Sequence, residues 1–177
     1  MSKEQAAAFG IDRARHHELK GRDQHVWERR AAIAVLTAFS ILGLLNVFGQ
    51  GTDPVRYSDT GASLTLDSPS RVRGGLVFTT EFVIQPTKDL HDARLELSSG
   101  WFRGMTYNGL VPQPTNQFVV GPWTVFDLGT IGAGRRFPVW ISWQTNATTV
   151  GRRSQDVAVY DGRTPILTVH RSLMVFP

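Results

Sequence analysis

Residues 76–84 read LVFTTEFVI, and the period of this stretch decides the fold. Leu76, Phe78, Phe82 and Ile84 fall on one side of an extended chain and Glu81 on the other. That alternation suits a strand with one buried face; helical apolar positions would recur every three or four residues. The texture continues in both directions. Residues 62–67 (ASLTLD) place Leu64 and Leu66 together, and residues 93–97 (ARLEL) oppose Ala93, Leu95 and Leu97 to Arg94 and Glu96. Further strands are predicted over 117–120, 124–128, 137–144, 155–160 and 166–175. Turn formers divide them, among them Gly74-Gly75, Pro86, Gly121-Pro122, Gly132 to Gly134 and Asp161-Gly162. Seven or eight short strands spaced in this way predict an all-β sandwich or barrel over residues 57–177. At 121 of the 177 residues, the domain is long enough to bury a core without disulfides.

Upstream the texture changes. Residues 31–48 read AAIAVLTAFSILGLLNVF, eighteen positions without a charge. At 1.5 Å per residue a helix of this length covers roughly 27 Å, near the thickness of a hydrocarbon core, so a single transmembrane helix is expected. A cleavable signal peptide fits less well, because thirty residues precede the run and no A-x-A pattern follows it. A buried core helix would show a polar face, which is missing. Seven Lys or Arg residues precede the run, whereas only Arg56 lies in the twenty residues after it. That bias predicts an N-terminus in the cytoplasm and a C-terminal domain outside the bacterial cytoplasmic membrane. Trp27, Arg29 and Arg30 are the expected anchors at the membrane edge. The expected divisions are a mixed-charge tail over 1–30, the span over 31–48, a tether over 49–56 and the β-domain over 57–177. Thr37, Ser40 and Gly43 lie on one side of the run and permit close helix approach, but no pattern specifies a homo-oligomer.

One corner carries a family likeness. Asp127-Leu128-Gly129-Thr130-Ile131-Gly132-Ala133-Gly134, between two predicted strands, resembles the leucine–glycine–x–isoleucine–x–x–glycine corner of bacterial immunoglobulin-like repeats. Residues 69–82, with Gly74-Gly75 before a long strand, are similar to the early part of the same modules. The resemblance implies an antiparallel immunoglobulin-like β-sandwich with an adhesive or scaffolding role. It carries over no catalytic residue, because such modules share no active site.

The residue inventory narrows the chemistry. With no cysteine in the chain, disulfides, thiolate catalysis and sulfur-ligated copper or zinc sites are excluded. The net charge of +4 is too small and too dispersed to predict nucleic-acid binding. No G-x-S-x-G elbow, H-E-x-x-H pair or phosphate-binding loop occurs, so no enzyme activity, cofactor or metal is predicted. His16, His17 and His25 in the tail lack the spacing of a compact ligand set.

A binding role has better candidates. Within 137–144, Val139, Ile141 and Trp143 share one face, which leaves Trp140 on the outer one as a candidate for partner contact. Trp101 and Tyr107 cluster around Arg103 in a segment expected to be a loop capping an open end of the sandwich. Arg135-Arg136 and Arg152-Arg153 are expected in loops flanking one hairpin, where guanidinium groups can meet carboxylates or phosphates. These residues predict an accessory or binding protein, held by its anchor close to an unidentified membrane or envelope partner. The alternative is a ligand- or metal-binding domain built on His91 and His170.

Overall fold

The computed structural model describes residues 22–45, 51, 52 and 54–177, and of residues 22–25 only the backbone. The chain divides at Val47/Phe48 into two units.

The described part of the first unit is one helix, α1 (Arg22–Leu44). It starts nine residues before the uncharged run, so its uncharged portion, residues 31–44, covers about 21 Å against a hydrocarbon core of about 30 Å. Its last eighteen residues still include Glu28, Arg29 and Arg30. Among the described residues no helix is long and apolar enough to cross a membrane, so the spanning helix expected over 31–48 is not supported. Residues 46–48 of that run, residues 49, 50 and 53 of the tether, and tail residues 1–21 with His16 and His17 lie outside the described residues, as does the side chain of His25.

The second unit contains the strands. One antiparallel sheet has the order β1 (Val55–Ser58), β2 (Ala62–Asp67), β4 (Val77–Pro86), β9 (Phe137–Thr145), β6 (Met105–Val111). The facing sheet, also antiparallel, has the order β12 (Thr164–Val169), β11 (Val157–Asp161), β5 (Leu90–Ser98), β8 (Trp123–Ile131), β7 (Asn116–Val120). A third, small sheet joins β10 (Gly151–Ser154), β13 (Ser172–Phe176) and β3 (Arg71–Arg73). In it the final strand runs parallel to β3, with Val175 opposite Val72.

The alternation read from residues 76–84 holds in β4, where Phe78, Phe82 and Ile84 are buried. Leu76 precedes the strand and is exposed. Phe82, Ile84, Val139, Ile141 and Trp143 from the first sheet pack in one core with Leu95, Leu97, Phe126, Val157 and Val159 from the second. Two patterned sheets closing on one apolar layer make a β-sandwich. Leu173, Val175 and Val72 of the small sheet are buried in the same core.

Thirteen strands form among the described residues, more than the alternation predicts. The extra ones are short or fall outside strict period two. Four-residue β1, three-residue β3 and four-residue β10 bury one residue at most. β6 lies in the segment expected to be a loop, and a register shift between Tyr107 and Gly109 disturbs its pattern. The single strand expected over 166–175 is two strands, β12 and β13, which belong to different sheets and part at His170-Arg171. Part of the expected tether is β1, which pairs Val55 with Leu66. The glycine corner is also placed differently. Gly129 lies within β8 at a φ of 74°, opposite Ala93 where the register of β5 shifts. The turn proper follows Ile131, with Arg135 N–H donating to the Gly132 carbonyl.

Candidate functional site

The chain leaves β5 for β6 through a 3₁₀ turn, Ser99–Trp101, and this corner organises one end of the sandwich. Trp101 is 0% exposed. It stacks on Trp143 with ring centroids 5.5 Å apart, lies 5.6 Å from Phe82, and donates from Nε1 to the Asp156 carbonyl at 3.1 Å. Phe102 and Tyr107 close on Trp143 at 5.3 and 5.8 Å, and Tyr107 reaches Phe126 of the opposite sheet at 6.0 Å. Burial raises the pKa of the Tyr107 phenol. Trp101 is therefore core, which corrects the expectation that it caps the open end as a partner contact, while Phe102 and Tyr107 pack half-buried against the cluster. Large apolar rings at a corner gain more from filling the gap between two sheets than from facing water.

Around this buried corner the surface is basic. Two adjoining recesses share Arg152, Ser154 and Asp156. One, about 740 Å³ and wide open, is also walled by His170, Arg171 and Ser172; the other, about 300 Å³, by Arg103, Arg153, Ser99 and Trp123. Four arginines and His170 thus surround a single carboxylate in these linings. Arg152 and Ser154 project outward from β10, while the intervening Arg153 is half-buried. Arg152 donates from Nε to Ser172 Oγ at 3.0 Å, which aims its guanidinium along the recess.

Asp156 holds the centre. Its Oδ1 lies 3.1 Å from His170 Nδ1, its Oδ2 accepts from Ser154 Oγ at 3.1 Å, and its N–H donates to Ser98 Oγ. The order Ser154–Asp156–His170 does not activate a nucleophile, because the hydroxyl bonds the carboxylate, whereas a triad needs it on the imidazole. His170 is 80% exposed, so its pairing with Asp156 is a surface interaction worth little by itself.

The remaining expected site residues are scattered. Arg135 and Arg136 are exposed at the opposite end of nine-residue β9 from the β9–β10 connection. They do not flank the same hairpin as Arg152 and Arg153, because β10 leaves β9's sheet to pair with β13. Trp140 lies, as expected, on the outer face of β9, 40% exposed between Glu81 and Val111 on the neighbouring strands. Trp27, Arg29 and Arg30 are exposed on α1.

The histidine alternative fails on topology. His91 is at the start of β5, whereas His170 follows β12, whose Val169 is level through Val157 with Leu97 at the other end of β5. Six residues of strand, about 20 Å, separate the two. Among the described residues no three His, Asp or Glu side chains are grouped to hold a metal.

Sequence reasoning missed Asp156, His170 in this role, and Arg171. The one signal was the pair His170-Arg171, which interrupts the apolar alternation in the middle of a predicted strand.

The fold and the basic end define the class, a β-sandwich module with a cationic end. No family model and no curated protein matches the chain. Among solved structures it is similar to CaCohA2 from Clostridium acetobutylicum, at 10% identity over 63% of this chain and 88% of that one, with a TM-score of 0.44. It is also similar to a CARDB domain from Pyrococcus furiosus, at 12% identity, 69% and 95% coverage and a TM-score of 0.40. A third is a non-cellulosomal cohesin from the archaeon Archaeoglobus fulgidus, at 13% identity, 60% and 86% coverage and a TM-score of 0.38. At these values the strand pairing and shared core described above, not the likeness, carry the fold.

Proposed function

We propose that this protein is a non-enzymatic binding module whose basic end receives an acidic segment of a partner protein. One observation carries the reading: Arg103, Arg152, Arg153 and Arg171 converge from three separate stretches of chain on adjoining recesses whose linings hold one carboxylate. Guanidinium groups on a folded framework bind carboxylates in pairs and steer acidic partners electrostatically.

A fluorescent glutamate-rich peptide added to the full-length protein is expected to bind, and to bind more weakly as salt rises. Reversing two charges at this end, Arg103→Glu with Arg152→Glu, should weaken binding at least about tenfold. The same reversal at the far end, Arg135→Glu with Arg136→Glu, should leave it within about twofold. Equal losses in both double variants would show attraction by net charge alone and would overturn the site.

We further propose that the uncharged run over 31–48 attaches the module to the bacterial cytoplasmic membrane, tail inside and sandwich outside, where it supports a membrane or envelope complex. The exposed apolar side chains of α1, including Ile33, Leu36, Phe39 and Leu44, and the cation bias before the run support this. The protein should stay with membranes through alkaline carbonate extraction. A reporter fused after residue 177 should be exported, and one inserted at residue 25 should not. Release by carbonate, or a cytoplasmic C-terminal reporter, would refute the attachment.

A further inference from the structure

Arg171 is a half-buried charged side chain that packs on a core ring. Its guanidinium lies 5.5 Å over the Trp101 ring, and Nη2 donates to the Pro69 carbonyl at 2.8 Å. Nη1 is buried and has no hydrogen-bond acceptor among the described residues. No carboxylate lies within 4.0 Å of the group among the described residues. Burial pushes its pKa below the usual arginine range, with Tyr57 acting in the opposite direction. Arginine nevertheless keeps its proton near neutral pH, so a cation stands here without a counter-charge. An unpaired buried charge is costly, and proteins ordinarily pair it or surround it with polar groups.

Arg171 also lines a further recess of about 270 Å³, which has Arg171 and Ser172 in common with the larger recess of the basic end. Tyr57 of β1 forms one wall, Ser68 and Ser70 of the β2–β3 connection a second, and Arg171 with Ser172 a third, over an apolar margin of Val55 and Leu66. The Ser68 hydroxyl is already paired with Thr80 at 3.0 Å. This leaves the hydroxyls of Tyr57 and Ser70 as further donors in the same lining. A fixed cation without a counter-charge, sharing a lining with hydroxyl donors at an apolar edge, is the donor set that holds an oxyanion.

We propose that this recess is a binding site for a single oxyanion group, carboxylate or phosphate, received by Arg171 with Tyr57 and Ser70. The site does not depend on the acidic-partner reading, because its lining excludes Arg103, Arg152 and Arg153 and has only Arg171 and Ser172 in common with the basic end.

The test adds sodium acetate and, separately, sodium phosphate to the full-length protein at constant ionic strength, against chloride. At least one anion should raise the Tm saturably, by about 3 °C or more at saturation, and shift the Trp101 indole N–H resonance along the same curve. Response to phosphate alone identifies a phosphate site, and response to both identifies a carboxylate-tolerant one. Arg171→Met should abolish both effects and Arg171→Lys should weaken them several-fold, since an ammonium cannot replace the planar fork. If Arg171→Met does not fold, Tyr57→Phe with Ser70→Ala is the substitute and should weaken the response several-fold. Arg103→Glu with Arg152→Glu should leave it intact, which separates this site from the basic end. A rise matched by chloride, an unmoved Trp101 resonance, or an unchanged response in the Arg171 variants would overturn the site.

Discussion

Trp143→Ala is expected to cost about 3–5 kcal/mol of folding stability, whereas Trp140→Ala, three residues away on the same strand, should cost about 1 kcal/mol or less. Trp143 is 0% exposed at the centre of a ring cluster, touching Trp101, Phe102 and Tyr107, and its removal leaves a cavity that rigid strands cannot close. Trp140 stands on the outer face of the sheet with 40% of its surface in water, so its truncation removes less burial and leaves no void. Domains of this kind are stable by about 5–15 kcal/mol, so the first variant uses a large fraction of that margin. Thermal unfolding followed by circular dichroism should show a Tm lowered by about 12–20 °C for Trp143→Ala and by a few degrees for Trp140→Ala. Comparable losses for the two would mean that the register assigned to β9 is wrong.

Gly100→Ala should be nearly as damaging, by a different mechanism. A Cβ at Gly100 would stand 1.7 Å from the Ser154 carbonyl oxygen and 2.8 Å from its carbon, and neither atom belongs to a flexible side chain. Either β10 moves outward or the 3₁₀ turn that seats Trp101 in the core opens. Overpacking of this sort costs about 3 kcal/mol or more when backbone has to shift. Because β10 carries Arg152 and Arg153, the displacement should also weaken binding of the acidic peptide, which a purely global loss of stability would not do well below the Tm. Gly132→Ala is the control. Its Cβ would meet nothing nearer than Asp89 Oδ1 at 3.8 Å, and it should change stability by no more than about 0.5 kcal/mol. A Gly100→Ala protein with unaltered Tm would refute the close approach.

The strands legible in the sequence are those with one face on the core and one in water. β2 follows the predicted bounds residue for residue, and β4, β5 and β9 differ only at their ends. Their alternation is imposed by the two-sided environment of a sheet and so is written into the residues. The short strands of the small sheet bury too few side chains to leave that pattern. β6 is hidden by its bulge and by the aromatic run before it, whose large side chains read equally well as exposed. The basic end was half legible. Arg103, Arg152 and Arg153 stood out as candidates, but arginines 49 residues apart carry no sign that they converge, and Arg135-Arg136 looked just as promising. Asp156 gave no local signal and Arg171 only the break it makes with His170 in the alternation, because their roles come from neighbours supplied by β5, the 3₁₀ turn and the β2–β3 connection.

The sequence by itself determined that residues beyond 57 are mainly β, that Trp143 faces inward and Trp140 outward, and that sulfur chemistry is absent. These follow from local period and residue type, which a strand's geometry reads directly. The tertiary structure decided the rest: which strands share a sheet, the burial of Trp101, the separation of His91 from His170, the extent of the helix before the sandwich, and the gathering of arginines at one end. Such properties depend on how the chain crosses between sheets, and crossings are set by the joint packing of distant segments on one core.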